Sequence, residues 1–358
     1  MNEETMSFDE IMAAITARLT GDPEKDREFL STQMEEYKRH KYCKEIMRAI
    51  VRMLFDLAPD ELKEKFAQIA DNRYVGVEQT VEDVNFLCYK KDFKGALKTI
   101  EPLIKKIDEK IAGGHYAGDK KSEFRGFYNT LERDLYEALN KTAKTVRQID
   151  EDFAGAYLCY GNILIELQKY AEAKLALEKA LLYNPASTDI LFALSEMHRL
   201  NGNWYEYLTL NKQCFDYAYS SSALAQCYKN LGFYYSEKGE LSIAAALFYI
   251  SLDYAPGDRI AQSELFYIAE QTGKKLPTLA CYEIFKTLEE NDIQVGPNPL
   301  VLHLASSIAA NCQIEKDLEN ALYYFKICYD LTEAESIKKI LDSLEDALVQ
   351  QQSGSAPA

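Results

Sequence analysis

The sequence has little of the material on which β-sheet, secreted and membrane proteins depend. Its 358 residues include only 16 glycines and 9 prolines, and runs of β-branched residues are scarce. The eight cysteines are scattered and form no Cys-x-x-Cys pair, which favours reduced, mostly buried thiols in a cytoplasmic protein. No stretch approaches 18 consecutive apolar residues, so we expect no membrane span. The composition therefore predicts an all-α protein.

Motifs for metal binding and catalysis are also missing. The four histidines lie far apart and no His-Glu-x-x-His occurs, so we predict no metal site and no cofactor. Gly113 and Gly118 have the spacing of a phosphate loop, but Asp119 stands where such a loop needs lysine. No Gly-x-Ser-x-Gly motif or local cysteine signature indicates nucleophilic catalysis. We therefore predict that the protein is not an enzyme.

Basic residues are too few in the second half of the chain to suit a nucleic-acid surface. Residues 1–150 carry 26 basic and 29 acidic side chains, whereas residues 151–358 carry 15 and 28. Phosphate contacts need lysine and arginine, so we predict no nucleic-acid partner. The acidity either provides solubility or favours a basic or amphipathic protein or peptide partner.

The most informative feature that is present is a pattern repeated about every 34 residues. It occupies three consecutive stretches: Ala154–Ser187, Thr188–Ser221 and Ala225–Asp258. A unit this short cannot bury its own apolar face, and must therefore stack on copies of itself.

Each unit is predicted to be a pair of antiparallel helices. In the first unit, Tyr157, Gly161 and Leu164 share one face of a helix, and a second helix ends at Pro185. The small residues Gly161 and Ala173 are expected where the two helices cross closely. Proline cannot continue a helix interior, so Pro185 separates this unit from the next.

These repeats resemble the tetratricopeptide-repeat family. Its units carry an aromatic residue, a Leu-Gly pair and a tyrosine on the first helix, and alanines, an aromatic residue and a late proline on the second. The matching residues of the third repeat are Tyr228, Leu231, Gly232, Tyr235, Ala244, Phe248 and Pro256. Degenerate copies follow around Arg259–Asp292 and in Leu302–Glu335. The resemblance implies a right-handed superhelical stack of helix-turn-helix repeats, an α-solenoid.

Breaks in the pattern indicate the domain organisation. We predict an N-terminal helical region with divergent repeats over residues 1–112, a Gly-rich loop and linking helix over 113–150, the repeat array over 151–335, a capping helix over 336–350 and a disordered tail over 351–358. The linking helix is expected to run from about Phe124 to Gln148. A capping box at Thr332–Glu335 is expected to start the final helix.

The resemblance also implies where a partner binds, because the first helix of each repeat lines most of the family's concave wall. The predicted partner-binding residues are Leu158, Asn162, Glu166, Phe192, Glu196, Arg199, Lys229, Phe233, Glu237, Tyr267 and Glu270. Further wall positions are Ile165, Asp189, Gln226 and Ser263. Rings, amides and both charge signs suit an extended or helical peptide. The alternative to partner binding, for any one of these residues, is that its side chain only packs against neighbouring residues of the protein.

The sequence therefore predicts a cytoplasmic scaffold that binds a protein or peptide in a concave groove. One alternative is a peptide-responsive regulator similar to Gram-positive quorum-sensing receptors, with an N-terminal helical effector region. Residues Met1–Asp71 show no convincing helix-turn-helix, which disfavours a DNA-binding version. A third possibility is an enzyme or enzyme subunit with a site in the N-terminal part.

Overall fold

The computed structural model describes residues 8–37, 43–57, 76–141, 143–273 and 280–353. The chain divides after Val75 into two compact units, which are treated separately below. The predicted domain boundaries stay predictions.

The first unit contains three described helices: α1 (Phe8–Ala17), α2 (Pro23–Glu36) and α3 (Cys43–Asp56). Helix α2 begins where Asp22 accepts hydrogen bonds from the N–H groups of the first turn, with proline at the first helical position. The small core of this first unit contains fully buried aliphatic side chains, among them Ile11, Leu30 and Ile46.

The second unit begins with the helical hairpin α4 (Val77–Tyr89) and α5 (Phe93–Ala112), which packs on the array. It is followed by strand β1 (Ser122–Arg125), helix α6 (Thr130–Asn140) and strand β2 (Thr145–Gln148). The remaining helices are α7 (Phe153–Glu166), α8 (Tyr170–Tyr183), α9 (Thr188–Leu200), α10 (Trp204–Tyr217), α11 (Ser221–Glu237), α12 (Leu241–Tyr254), α13 (Arg259–Thr272), α14 (Cys281–Glu290), α15 (Pro299–Ile314), α16 (Leu318–Thr332) and α17 (Glu335–Ser353).

The segment before the array differs from the prediction. The expected long helix from Phe124 to Gln148 is wrong, because β1 and β2 pair in parallel, with Ser122 opposite Thr145. The shorter helix α6 starts where the Asn129 side chain accepts the N–H of Glu132, and it ends at Lys141 in a left-handed conformation. The all-α prediction therefore holds for the repeats, and this linker adds a two-stranded sheet.

The three clear repeats are helical hairpins, as predicted: α7 with α8, α9 with α10, and α11 with α12. Their crossings depend on glycine. A Cβ at Gly161 would lie 2.7 Å from Cδ2 of Leu177, and a Cβ at Gly232 would lie 2.7 Å from Cε1 of Phe248. The predicted close helix crossing at Gly161 is confirmed.

We expect Gly161→Ala to lower the free energy of unfolding by about 1–3 kcal/mol, because the new methyl group overpacks against Leu177. Urea unfolding followed by circular dichroism measures the change. Gly257→Ala is the matched control, since no atom lies within 4 Å of its added Cβ. Equal stabilities of the two variants would contradict the close crossing.

The chain folds back after α12. Helices α13 and α14 each pack on α12, whereas the hairpin of α15 and α16 packs on α6, which precedes the array. The return is anchored by Tyr228, whose hydroxyl accepts the N–H of Gly296 at 2.8 Å and donates to the carbonyl oxygen of Gln294 at 3.1 Å. The last degenerate copy is therefore a helical hairpin that packs through α15 on α6, just before the array.

Helix α17 packs on α16 and buries Leu341 and Leu344. It covers the predicted capping helix and continues through Ser353, into the segment predicted to be a disordered tail. Residues 354–358 of that tail lie outside the described residues.

Candidate functional site

The first helices of the three clear repeats, α7, α9 and α11, line two neighbouring recesses. The first recess has a volume of about 630 Å³. Its lining residues are Leu158, Asn162, Thr188, Asp189, Phe192, Tyr219, Ser220, Ser222, Ala223 and Gln226. Two aliphatic side chains, two aromatic rings, three hydroxyls, two amides and a single charged group thus line the same space.

The second recess has a volume of about 330 Å³ and shares Gln226 with the first. It is lined by Glu196, Arg199, Trp204, Tyr207, Gln226, Lys229, Asn230, Phe233, Glu237 and Ile260. Helices α9, α10, α11 and α13 contribute these residues. The shared glutamine makes the two recesses adjacent parts of one surface.

A third recess, of about 380 Å³, adjoins the other end of the first through Ser220 and Ser222. Its other lining residues are Ser221, Tyr329, Asp330 and Glu333. The hydroxyl of Ser221 donates to the carbonyl oxygen of Asp330, which fixes α16 beside the start of α11. We call the three connected recesses the interaction groove.

Eight of the eleven predicted partner-binding residues line the interaction groove. They are Leu158, Asn162, Phe192, Glu196, Arg199, Lys229, Phe233 and Glu237. The other three lie outside it and are exposed: Glu166, Tyr267 and Glu270. The carboxylate of Glu166 lies towards α4, where it contributes to raising the pKa of Cys88 after the larger effect of burial. Partner binding by all eleven residues stays a prediction.

Sequence reasoning missed the loop that joins the first and third recesses. Tyr219, Ser220 and Ser222 belong to the turn between α10 and α11 and its first helical residues, not to a repeated wall position. The signal was present as three extra residues, 222–224, between the second and third repeats. That insertion lengthens α11 at its N-terminus and adds Ser222 and Ala223 to the wall of the first recess.

Both cations of the second recess are held in intramolecular ion pairs. The guanidinium of Arg199 donates to both carboxylate oxygens of Glu196, at 2.7 and 2.6 Å. The Lys229 ammonium lies 2.5 Å from Oδ2 of Asp258 in a largely buried pair. Burial is the largest single influence on Asp258 and opposes its ionisation. The hydrogen bond and charge of Lys229, together with the backbone N–H groups of Ala261 and Ile260, outweigh burial and lower the pKa of that carboxyl. Neither cation is free to attract an anion.

A chain of hydrogen-bonded amide side chains lies at the boundary between the first two recesses. Gln226 donates through Nε2 to Oδ1 of Asn230 at 2.5 Å, and Asn230 donates to Oδ1 of Asn211 at 2.6 Å. Asn211 in turn donates to the carbonyl oxygen of Tyr207. Among the described residues, Oε1 of Gln226 accepts no hydrogen bond. It is therefore a hydrogen-bond acceptor held in a fixed position where the two recesses meet.

A buried carboxylate supports the first recess from behind. Glu132 is 2% exposed and accepts hydrogen bonds from the backbone N–H of Tyr128, from Nδ2 of Asn184 and from the hydroxyl of Tyr219. Burial raises the pKa of Glu132, and these hydrogen bonds only partly oppose it. The network holds the Tyr219 ring in place at the recess wall.

The raised pKa of Glu132 predicts a pH-dependent stability. A carboxyl whose pKa is higher in the folded chain stabilises the fold below its ordinary pKa, and this contribution is lost as pH rises through the folded value. We expect the stability of the wild type relative to Glu132→Gln to fall between pH 4 and 8. Urea unfolding of both proteins across that range measures the difference. A relative stability that rises with pH would contradict the assignment.

No family model matches the sequence. No curated protein matches it either.

Solved structures similar to this chain include two tetratricopeptide-repeat proteins and one hetero-tetrameric assembly. A tetratricopeptide-repeat protein from Parabacteroides merdae is 12% identical, with a TM-score of 0.39, 89% of this chain covered and 98% of that one. The C-terminal part of a TPR repeat-containing protein from Cytophaga hutchinsonii is 15% identical, with a TM-score of 0.30 and coverages of 72% and 98%. The Cut9–Hcn1 hetero-tetramer of the APC/C is 11% identical, with a TM-score of 0.24 and coverages of 90% and 66%.

The array is tetratricopeptide-like. The chain's own features show this: its helices are paired at the predicted period, and glycine allows close helix crossings at Gly161 and Gly232. All three TM-scores lie below 0.5. None of the described helices is both long and apolar enough to cross a bilayer.

Proposed function

We propose that this tetratricopeptide-like chain is a scaffold that binds an extended or helical peptide segment of a partner protein in the interaction groove. The observation that carries the proposal is the adjacency of the three recesses, which share the lining residues Ser220, Ser222 and Gln226. A connected groove of this kind suits a chain segment better than a compact small molecule.

The chemistry of the lining supports the same conclusion. The half-buried rings of Phe192 and Phe233 offer apolar anchors in neighbouring recesses. The amides of Asn162 and Gln226 offer partners for the backbone of a bound segment. Aromatic anchors surrounded by polar groups are the usual composition of binding hot spots. We propose that binding involves no covalent chemistry, and that it takes place in the cytoplasm.

Panning a phage-displayed library of random dodecapeptides on the immobilised full chain tests the proposal. We expect enrichment of peptides that bind saturably when synthesised with a fluorescent label and titrated by anisotropy. Because the recesses form one continuous groove, the selected peptides should compete with one another. Absence of any saturable binder, or binders that never compete, would overturn the proposed function.

A further inference from the structure

Some charged side chains of the interaction groove are ion-paired within the protein, and others are not. In the second recess, Arg199 and Lys229 are each held in an ion pair within the protein. In the first recess, the only charged lining residue is Asp189. Its carboxylate forms no ion pair or hydrogen bond with any residue that the structure describes. The first recess therefore presents an unneutralised negative charge to whatever enters it.

Asp189 lies on a concave surface and not on an open one. Solvent reaches its side chain, yet surrounding protein atoms partly desolvate it, and this burial raises its pKa. The Asp189 carboxylate is close enough to Glu132, behind the recess, to contribute to the raised pKa of Glu132 after the larger effect of burial. A cation in the recess would stabilise the Asp189 carboxylate and offset its repulsion of Glu132. An anion would have the opposite effect on both carboxylates.

The neighbouring groups of the first recess also suit a cation. The rings of Phe192 and Tyr219 line the same space, and the face of an aromatic ring attracts ammonium and guanidinium groups. Hydroxyls and amides, including Ser222 and Asn162, can accept the remaining N–H bonds. No lysine or arginine lines this recess to repel a positive group.

The third recess continues the same electrostatic pattern. Asp330 and Glu333 line it, and their carboxylates form no ion pair with any residue in the described part of the chain. The unpaired charges of the first and third recesses are thus all negative. A segment lying across the two recesses is stabilised when its own charge is positive.

We infer that the first recess is a subsite for a lysine or arginine side chain of the bound peptide, with Asp189 as its counter-ion. This inference rests on the proposed function, because it assigns the chemistry of one position within the same groove. The aliphatic stem of the basic side chain packs beside Leu158 and Phe192, and its charged end meets the Asp189 carboxylate. Specificity for a basic residue at one position of the peptide follows.

The test uses peptides selected by panning on the wild-type chain and on Asp189→Asn. We expect lysine or arginine at one fixed position with the wild type, and no such preference with Asp189→Asn. Replacing that arginine by citrulline, or that lysine by norleucine, should weaken binding to the wild type by about 10-fold. The same replacement should leave binding to Asp189→Asn unchanged. Glu289→Gln, which removes one exposed charge on α14, should behave as the wild type.

The possible outcomes separate this inference from the proposed function. Saturable binding of peptides that carry no basic preference, or an equal effect of the neutral replacement in both proteins, would overturn the cation subsite and leave the scaffold function standing. Failure to select any peptide would overturn both. Binding of the basic peptide by the wild type should also weaken between 50 and 500 mM NaCl, as expected for a solvent-accessible ion pair.

Discussion

Replacement of Phe248 by alanine is expected to lower the free energy of unfolding by about 3–5 kcal/mol. The ring is fully buried and fills the space left by Gly232 on the facing helix. It also meets the ring of Phe233 edge-on, with centroids 5.5 Å apart. Its removal leaves a cavity at the crossing of α11 and α12, which neither helix can close without moving along the other.

Urea unfolding followed by circular dichroism measures this loss. The matched control is Phe266→Ala on α13, because the Phe266 ring is 60% exposed. This substitution should change the free energy of unfolding by no more than about 0.5 kcal/mol. A loss at Phe248 no larger than at Phe266 would show that the third repeat does not pack as the structure describes.

The second large effect concerns binding. We expect Phe192→Ala to lower the affinity for a selected peptide by about 30-fold, because a central aromatic anchor contributes about 2 kcal/mol to the free energy of binding. Phe192 lines the first recess and is only half-buried in the free chain, so a bound segment can cover the rest of the ring. Anisotropy titration of the labelled peptide measures the change.

Tyr205→Ala is the control for this prediction. Its ring is 76% exposed on α10 and lines none of the three recesses. Binding should change less than 2-fold. Similar losses in both variants, or an unaltered affinity in Phe192→Ala, would remove the first recess from the binding surface. Comparison of urea unfolding curves shows whether either substitution also changes stability.

The repeat part of the fold could be predicted because its determinants are local. The period of about 34 residues sets the helical hairpins, and Gly161 and Gly232 occur where only a hydrogen atom fits between the helices. Eight groove residues followed from the same register, since a repeated position in sequence becomes a repeated position on the inner wall.

The rest depends on contacts between distant parts of the chain. Tyr228 fits the repeat pattern equally well whether or not its hydroxyl binds the backbone of Gln294 and Gly296, so the return of α15 and α16 could not be derived from it. Glu132 resembles an ordinary surface glutamate in sequence. Only the approach of Asn184 and Tyr219, far along the chain, shows that it is buried and supports the groove.

The linker was predicted wrongly for a different reason. Residues 124–148 contain enough helix-forming residues to suggest one long helix, but the Asn129 cap begins a new helix inside that segment. The capping-box spacing from Asn129 to Glu132 was a local signal of this start. Strands β1 and β2 pair although α6 separates them in the sequence. The periodicity of apolar residues carries no information about such a pairing between separated segments.

The central claim is that a partner segment lies along the inner wall formed by α7, α9 and α11. Photo-crosslinking with a selected peptide that carries benzophenone at successive positions, followed by mass spectrometry, tests it most directly. We expect crosslinks within residues 158–166, 188–199 and 219–237, with neighbouring benzophenone positions reaching neighbouring recesses. Crosslinks confined to α8, to the exposed face of α10 or to residues 8–57 would contradict the claim.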